Sequence, residues 1–177
     1  MVFNIFKRGK KKPRVEQEVV VEEAKTEEEK PASLPVFKEV YPLIEPYAYA
    51  AIATDPSTGQ LRYHVIEPTL SEEEKELLER IEDLLLQELD INLRELRTGE
   101  DAEEYLKEKI EDIVKRYKIG VEEEALGKLK YYITRDFIYL GKIEPMMRDH
   151  MIEDVSCDGD GIPIYVWHRE YESMTTN

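Results

Sequence analysis

Apolar residues recur at helical spacing in three successive segments in the middle of the chain. The first segment, "LSEEEKELLERIEDLLLQELDI", opens with a capping-box pattern in which Ser71 is followed three residues later by Glu74. The same spacing predicts a second helix over about 101–117 and a third over about 121–140, with Gly141 as its stop. The apolar positions of the first helix are Leu77, Leu78, Ile81, Leu84, Leu85 and Leu89.

Strand patterns lie on both sides of the helical segments. "YAYAAIATDPSTGQLRYHVIEP" places Tyr-, Ile- and Val-rich runs around turn residues 55–59, which predicts a hairpin. After a short helical turn expected at Pro145, "MIEDVSC" and "IPIYVWHR" predict two further strands around an Asp-Gly-Asp-Gly turn. An N-terminal hairpin, a three-helix segment and C-terminal strands of an incomplete sheet predict an α+β fold.

The chain divides by composition into four expected parts. Residues 1–14 form a basic and apolar tip, and residues 15–38 are predicted to be a disordered acidic linker. Residues 39–150 are expected to hold the strand hairpin and a helical subdomain. Residues 151–177 hold the last predicted strands, and the family resemblance given below implies that they begin a sheet-containing N-terminal domain that is truncated here.

Charge separates the tip from the rest of the chain. The chain has 25 basic and 40 acidic residues, a net charge of -15, which disfavours nucleic acid as a partner. An apolar start followed by a polybasic run is typical of segments that contact anionic membranes. The alternative is a solvated start that only keeps the chain soluble. The candidate membrane or partner contacts are Phe3, Phe6, Lys7, Arg8, Lys10, Lys11 and Lys12.

The acidic corner between the last two predicted strands partly matches a calcium-binding EF-hand loop. Asp154, Ser156, Asp158 and Gly159 fill its first, third, fifth and sixth positions. The twelfth position, which requires a bidentate Glu, is Tyr165. We therefore interpret the corner as a hairpin turn. No stretch has the glycine spacing and hydroxyl of a phosphate loop.

Catalytic chemistry has little support in the sequence. Cys157 and His168 would form a nucleophilic pair only if the two strands placed them side by side, and no third residue orients the histidine. A single cysteine excludes an internal disulfide and fits a reducing cytosol. The residues predict a non-catalytic module without catalytic, cofactor-binding or metal-binding side chains.

The last third of the chain, "YYITRDFIYLGKIEPMMRDHMIEDVSCDGDGIPIYVWHREYESMTTN", resembles the N-terminal region of archaeal type II/IV secretion ATPases. These hexameric motors drive assembly of type IV pili and archaella. The upstream "YHVIEPTLSEEE" is similar to the same family, so the resemblance covers about 41–177. The matched family-motif positions, which are expected to be structural, are Arg135, Asp136, Gly141, Pro145, Asp149, Asp154, Asp158, Gly159 and Arg169.

The resemblance implies a non-catalytic role for this region. In the family, a separate RecA-like core binds ATP and Mg, and none of its residues has a match here. The resemblance also implies a homo-hexamer in the full-length parent and docking on a platform protein at the cytoplasmic face of the membrane. It implies a sheet that continues past Asn177 and leaves an unpaired edge there. The alternative is a stand-alone adaptor that binds a secretion motor or a membrane partner.

Overall fold

The computed structural model describes residues 36–89 and 99–177. The basic tip and the linker up to residue 35 lie outside the described residues. The first described element, β1 (Val36–Ile44), includes residues 36–38, which the predicted linker had contained. The strand escaped prediction because Pro42 and two register irregularities interrupt its alternation of side chains.

Six strands form one mixed sheet within the described residues. The strands that follow β1 are β2 (Ala48–Thr54), β3 (Leu61–Ile66), β4 (Ile152–Ser156), β5 (Tyr165–His168) and β6 (Glu172–Thr176). Their order across the sheet is β1-β2-β3-β6-β5-β4. Neighbouring strands are antiparallel except β3 and β6, which are parallel. The predicted α+β class is confirmed.

The helices lie between β3 and β4 in the chain. They are α1 (Glu72–Glu88), α2 (Gly99–Arg116), α3 (Glu123–Phe137) and the short α4 (Glu144–Met147). The capping box of α1 is confirmed, because Ser71 Oγ accepts the Glu74 N–H and Glu74 Oε2 accepts the Ser71 N–H. In the described ranges, no helix is both long and apolar enough to cross a membrane.

Gly141 has a different role from the predicted helix stop. Helix α3 already ends at Phe137, and Gly141, with φ of +62°, opens a 3-10 turn over Gly141–Ile143. A left-handed φ favours glycine, so this residue type suits the position. Pro145 occupies the first turn of α4, as predicted.

Two separate apolar cores support the fold. The first joins α1, α2 and α3 through Ile81, Leu85, Leu106, Ile110, Ile113, Leu129 and Ile133. The second lies on one face of the sheet and contains Ala50, Ile52, Tyr63, Met146, Val166 and Met174. The helices join the sheet through Met146 of α4, which packs in the second core, and through polar contacts between α3 and the end of β3.

The expected unpaired edge at the end of the chain is wrong, because β6 lies inside the sheet between β3 and β5. Asn177 continues this pairing: its N–H donates to the Tyr63 carbonyl, and its side chain exchanges two hydrogen bonds with the backbone of Val65. The described edges are β1 and β4. The division expected at residue 150 therefore falls within a single sheet.

Candidate functional site

Asp149 lies at the centre of a buried polar cluster beside α4. Only 4% of the residue is exposed. Its Oδ2 accepts hydrogen bonds from the hydroxyls of Tyr41 and Tyr63, both at 2.7 Å. Its Oδ1 accepts the Met151 N–H at 2.8 Å. The carboxylate therefore connects β1 and β3 to the segment that leads into β4.

His168 extends the cluster into β5. The residue is fully buried, and its Nδ1 accepts the Glu170 N–H at 3.1 Å. In the neutral ring this leaves the proton on Nε2, which lies 3.2 Å from the Tyr41 hydroxyl and donates to it. Tyr41 in turn donates to Asp149. The cluster is thus a chain of satisfied hydrogen bonds.

Burial decides the protonation of the two tyrosines. Desolvation, followed by the hydrogen bond to Asp149, raises the pKa of Tyr41 and of Tyr63 far above the ordinary value. Both hydroxyls stay protonated at neutral pH and act as donors. The side chains of this cluster satisfy one another's hydrogen bonds inside the fold. We therefore interpret the cluster as a structural network that fixes the relative positions of β1, β3 and β5.

Arg135 forms a second cluster where the helices meet the sheet. Its Nη1 contacts both carboxylate oxygens of Glu67, at 2.7 and 2.8 Å, just beyond the end of β3. Its Nε and Nη2 contact Asp136 at 2.7 and 3.0 Å. Burial alone would lower the pKa of Arg135, but hydrogen bonds to Asp136 and Glu67 outweigh it and raise that pKa. The guanidinium is therefore a fixed positive charge between two carboxylates.

Aromatic side chains surround this ion cluster. The Tyr131 hydroxyl donates to Glu67, and the Tyr132 hydroxyl donates to the Pro68 carbonyl at 2.6 Å. The Arg135 guanidinium lies 4.8 Å from the centre of the Tyr132 ring. Tyr47, in the turn between β1 and β2, stacks on Tyr131 with ring centres 5.2 Å apart. The helical bundle is therefore attached to the sheet by charge and aromatic contacts.

A groove of about 400 Å³ opens beside this junction, between α2, α3, α4 and the turn after β1. Its basic side chains already have acidic partners at salt-bridge distance. These pairs are Lys107 with Glu103, Lys130 with Glu111, Arg135 with Glu67, and Arg148 with Glu144. Since each charge is locally balanced, the groove has no excess positive charge for an anionic ligand.

Two exposed aromatic side chains lie on the same side of β5. Tyr165 is 40% exposed and Trp167 is 48% exposed. Val166, which lies between them, and His168, which follows Trp167, are buried. Asp154 on β4 lies directly opposite Trp167, and Ser173 on β6 lies opposite it on the other side. Directly paired residues share one side of a sheet. We call the surface formed by Tyr165, Trp167, Asp154 and Ser173 the aromatic face.

The structure separates the family-motif residues into buried and exposed groups. Arg135 and Asp149 are buried in the two clusters, Pro145 is buried in α4, and Asp136 pairs with Arg135. Gly141 opens the 3-10 turn before α4, and the remaining motif residues lie on β4, in the β4–β5 turn or just after β5. There Asp154 and Asp158 are exposed, Gly159 has φ of +138°, and Arg169 contacts Glu153 at 3.4 Å.

The Cys157 and His168 pairing is wrong as a catalytic hypothesis. His168 pairs with Ile152 at the start of β4, while Cys157 follows Ser156 at its end. Five strand positions separate them, a distance of about 16 Å. Cys157 is exposed and His168 is buried. Within 36–89 and 99–177, no three His, Cys, Asp or Glu side chains are grouped so that they could hold a metal ion.

Sequence reasoning missed Glu67, Tyr41 and Tyr63, the partners of two motif residues. Each lies more than 60 positions from its partner in the chain. The sequence signal for Tyr63 and Glu67 was the stretch "YHVIEP", which the family resemblance had already included. Long-range polar pairs of this kind follow from strand order, which local patterns do not encode.

The fold and its two polar clusters define an α+β module in which a three-helix bundle is attached to a six-stranded sheet. No protein-family profile matches the chain. A relative from Methanocaldococcus jannaschii, named "Uncharacterized protein MJ1288", is 35% identical over 178 residues. The match covers 99% of this chain and 69% of the relative. The chain belongs to the same family as this archaeal protein.

Proposed function

We propose that the chain is the N-terminal, non-catalytic portion of an archaeal type II/IV secretion ATPase of the pilus or archaellum assembly class. The proposal is supported by the structural positions of two motif residues. Arg135 attaches the helical bundle to the sheet, and Asp149 joins β1 and β3 to the segment that leads into β4. The segment that resembles the motor family is thus the framework of one continuous module. The archaeal source of the relative agrees with this class.

In this proposal the chemistry belongs to the longer parent. ATP and Mg bind to its separate core, and the parent assembles as a homo-hexamer. The module contributes contacts to neighbouring subunits and to a platform protein at the cytoplasmic face of the membrane. Its exposed surfaces, with a net acidic charge, suit protein partners better than phosphate-bearing ones.

The basic tip has its own part in this proposal. It lies outside the described residues, so its support comes from sequence alone. Six basic residues near an anionic surface contribute at most about 6 kcal/mol, which suffices for reversible contact. Residues 1–14 would therefore strengthen docking at the membrane through lipid headgroups or an acidic protein surface.

The size of the relative favours a second candidate, a stand-alone adaptor that binds a secretion motor or membrane partner. Because the 178 matched residues are 69% of the relative, about 80 of its residues lie outside the match. One βαβ unit takes about 30 residues or more, and an ATPase core needs several such units. In the relative, the module is therefore not joined to a complete motor core.

Cross-linking in living source cells, followed by affinity purification of the chain from membranes, tests the proposal. We expect cross-links to a secretion-class ATPase subunit and to a multispanning platform protein. A matched purification with Arg135→Met, which disrupts the attachment of helices to sheet, should lose them while Arg80→Met on the exposed face of α1 retains them. Cross-linked partners that include neither class of protein would contradict the proposal.

A further inference from the structure

We propose that the aromatic face binds an arginine-bearing, apolar segment of a partner protein. The inference deepens the proposed function and rests on it only for the partner being a protein at the membrane. Two large aromatic side chains remain exposed to solvent in the folded chain. Trp167 is 48% exposed and Tyr165 is 40% exposed, and Ile162 in the adjoining turn is 48% exposed.

The sheet itself holds this surface in place. Val166 and His168 alternate with the two aromatics and are buried on the opposite side of β5. Antiparallel neighbours flank the strand on both sides, β4 at Asp154 and β6 at Ser173. The rings therefore project from a strand paired along both edges, so a partner meets a preorganised surface.

The segment that carries the aromatic face, residues 152–177, is strongly acidic. The neighbouring basic residue on the same side of the sheet, Arg62 of β3, lies 3.4 Å from Asp55. Arg169 is the one basic residue in 152–177, and it already contacts Glu153 at 3.4 Å. The acidic residues of the same segment are Glu153, Asp154, Asp158, Asp160, Glu170 and Glu172. Glu172 pairs with His168 on the opposite side of the sheet, whereas Asp154 pairs with Trp167 on the aromatic face itself. The segment as a whole therefore has six carboxylates and one arginine, and one of the carboxylates lies directly beside the exposed indole. This field attracts cationic segments and repels phosphate groups of lipids and nucleic acids.

The relative position of Trp167 and Asp154 favours arginine in particular. A guanidinium stacks flat on an indole ring and donates in a plane to a carboxylate, which an ammonium group does less well. Directly opposed residues in a sheet have Cβ atoms about 4.5–5.5 Å apart, so one arginine reaches both groups. The chain contains the same arrangement at Arg135, which lies over the Tyr132 ring and contacts Asp136.

Apolar residues beside the arginine complete the match. Tyr165 and Ile162 offer apolar surface next to Trp167, and exposed aromatics at protein interfaces often dominate the binding energy. Cytoplasmic loops of membrane proteins are enriched in basic residues. A loop of a platform protein therefore has the required chemistry, while an anionic lipid surface does not.

The single tryptophan of the chain provides a direct probe, since Trp167 alone accounts for its tryptophan fluorescence. The full chain is titrated with a short synthetic peptide that alternates Arg with Leu. Control peptides replace Arg by Lys, Arg by Glu, or Leu by Ser. We expect a saturable emission change with the Arg/Leu peptide, weaker binding of the Lys and Ser peptides, and none of the Glu peptide. Equal binding of the Arg and Glu peptides would overturn the inference.

Variants separate the surface from nonspecific attraction. Binding of a labelled Arg/Leu peptide, followed by anisotropy, should weaken about fivefold in Asp154→Asn and more in Trp167→Ala. The matched controls are Asp83→Asn and Leu86→Ala on the exposed face of α1, which should bind like the wild type. Thermal melting verifies that all four variants fold. Equal losses in Asp154→Asn and Asp83→Asn, or binding of Trp167 to anionic vesicles, would contradict the inference.

The two proposals fail in different ways. If Trp167→Ala loses peptide binding yet still cross-links to a platform protein in cells, the secretion role stands and that protein docks elsewhere, which overturns this inference. If Asp154→Asn and Trp167→Ala weaken peptide binding as expected but no secretion protein is cross-linked, the aromatic face is confirmed as a binding surface. The proposed secretion function is then contradicted.

Discussion

Arg135 in α3 holds both carboxylate oxygens of Glu67, which lies 68 positions earlier at the end of β3. The guanidinium side chain is only 6% exposed, and Asp136 occupies its other donors. The two apolar cores are separate, and this contact, together with the Tyr131 and Tyr132 hydroxyl bonds, is a polar connection between α3 and the end of β3. It gives Arg135 a structural role where the helices meet the sheet.

Replacing Arg135 by Met should lower the free energy of unfolding by about 3 kcal/mol, because two carboxylates then lose their buried cation. Arg135→Lys keeps the charge but loses the paired contact with Glu67, and we expect an intermediate loss. Urea unfolding measures both changes. Arg80→Met on the exposed side of α1 is the control and should leave stability unchanged. An Arg135→Met protein as stable as this control would show that the contact contributes nothing.

Asp149→Asn should lower stability by about 2 kcal/mol. The amide offers a single oxygen where three hydrogen bonds now converge, and its NH₂ group then opposes a donor, either a tyrosine hydroxyl or the Met151 N–H. Asp158→Asn is the matched control, since that residue is exposed in the β4–β5 turn. Chemical denaturation of the two proteins compares them directly. Equal midpoints would contradict the structural role of the Asp149 cluster.

Alkaline pH should destabilise the protein through Tyr63. Burial and the bond to Asp149 raise its pKa in the folded state, whereas in the unfolded chain it titrates near the ordinary value of about 10. Its contribution is therefore complete below about pH 10 and is lost as pH rises further, because the unfolded state releases the proton first. The slope for one tyrosine is about 1.4 kcal/mol per pH unit. Stability measured above pH 10 should fall less steeply in Tyr63→Phe, and an unchanged slope would refute this assignment.

Gly127 and Tyr47 should behave as a coupled pair. A Cβ at Gly127 would lie 2.5 Å from the Tyr47 hydroxyl oxygen and 3.6 Å from the ring carbon that bears it. Replacing a mid-helix Gly by Ala otherwise favours the helix by about 1 kcal/mol. Gly127→Ala should therefore stabilise the protein in a Tyr47→Phe background but not in the wild type. A double-mutant cycle by thermal unfolding measures the difference, and additive effects would exclude the contact.

Gly159→Val should destabilise the β4–β5 turn by about 1–2 kcal/mol. Open space surrounds the position, but φ of +138° is a conformation that β-branched residues rarely adopt. Gly120→Ala, a replacement at an open position without positive φ, provides the comparison. Should the Gly159→Val protein melt like the wild type, the turn would not depend on that backbone conformation.

Local patterns predicted the helices, the capping box and four of the six strands, because periodicity and caps depend on residues close in sequence. They missed β1, where Pro42 interrupts the alternation, and β6, whose "ESMTT" is short and largely polar. The parallel pairing of β3 with β6 also escaped prediction, and with it the internal position of the last strand. Strand order depends on contacts between distant residues, which no local pattern records.

The candidate site was predictable in part. The motif positions Arg135 and Asp149 were identified by resemblance, and the structure gives each a precise set of partners. Trp167 and Tyr165 were recognised as strand residues, but their exposure follows from which face of β5 meets the apolar core. That choice depends on the register with β6, which the sequence alone did not reveal.

The most direct test of the proposed secretion role is native mass spectrometry of the complex that contains this chain, taken from membranes of its source cells. We expect it to contain a phosphate-loop ATPase, either within one polypeptide heavier than 20.8 kDa or as a separate subunit bound to the chain. A complex that contains this chain and no ATPase would contradict the role as part of a secretion motor.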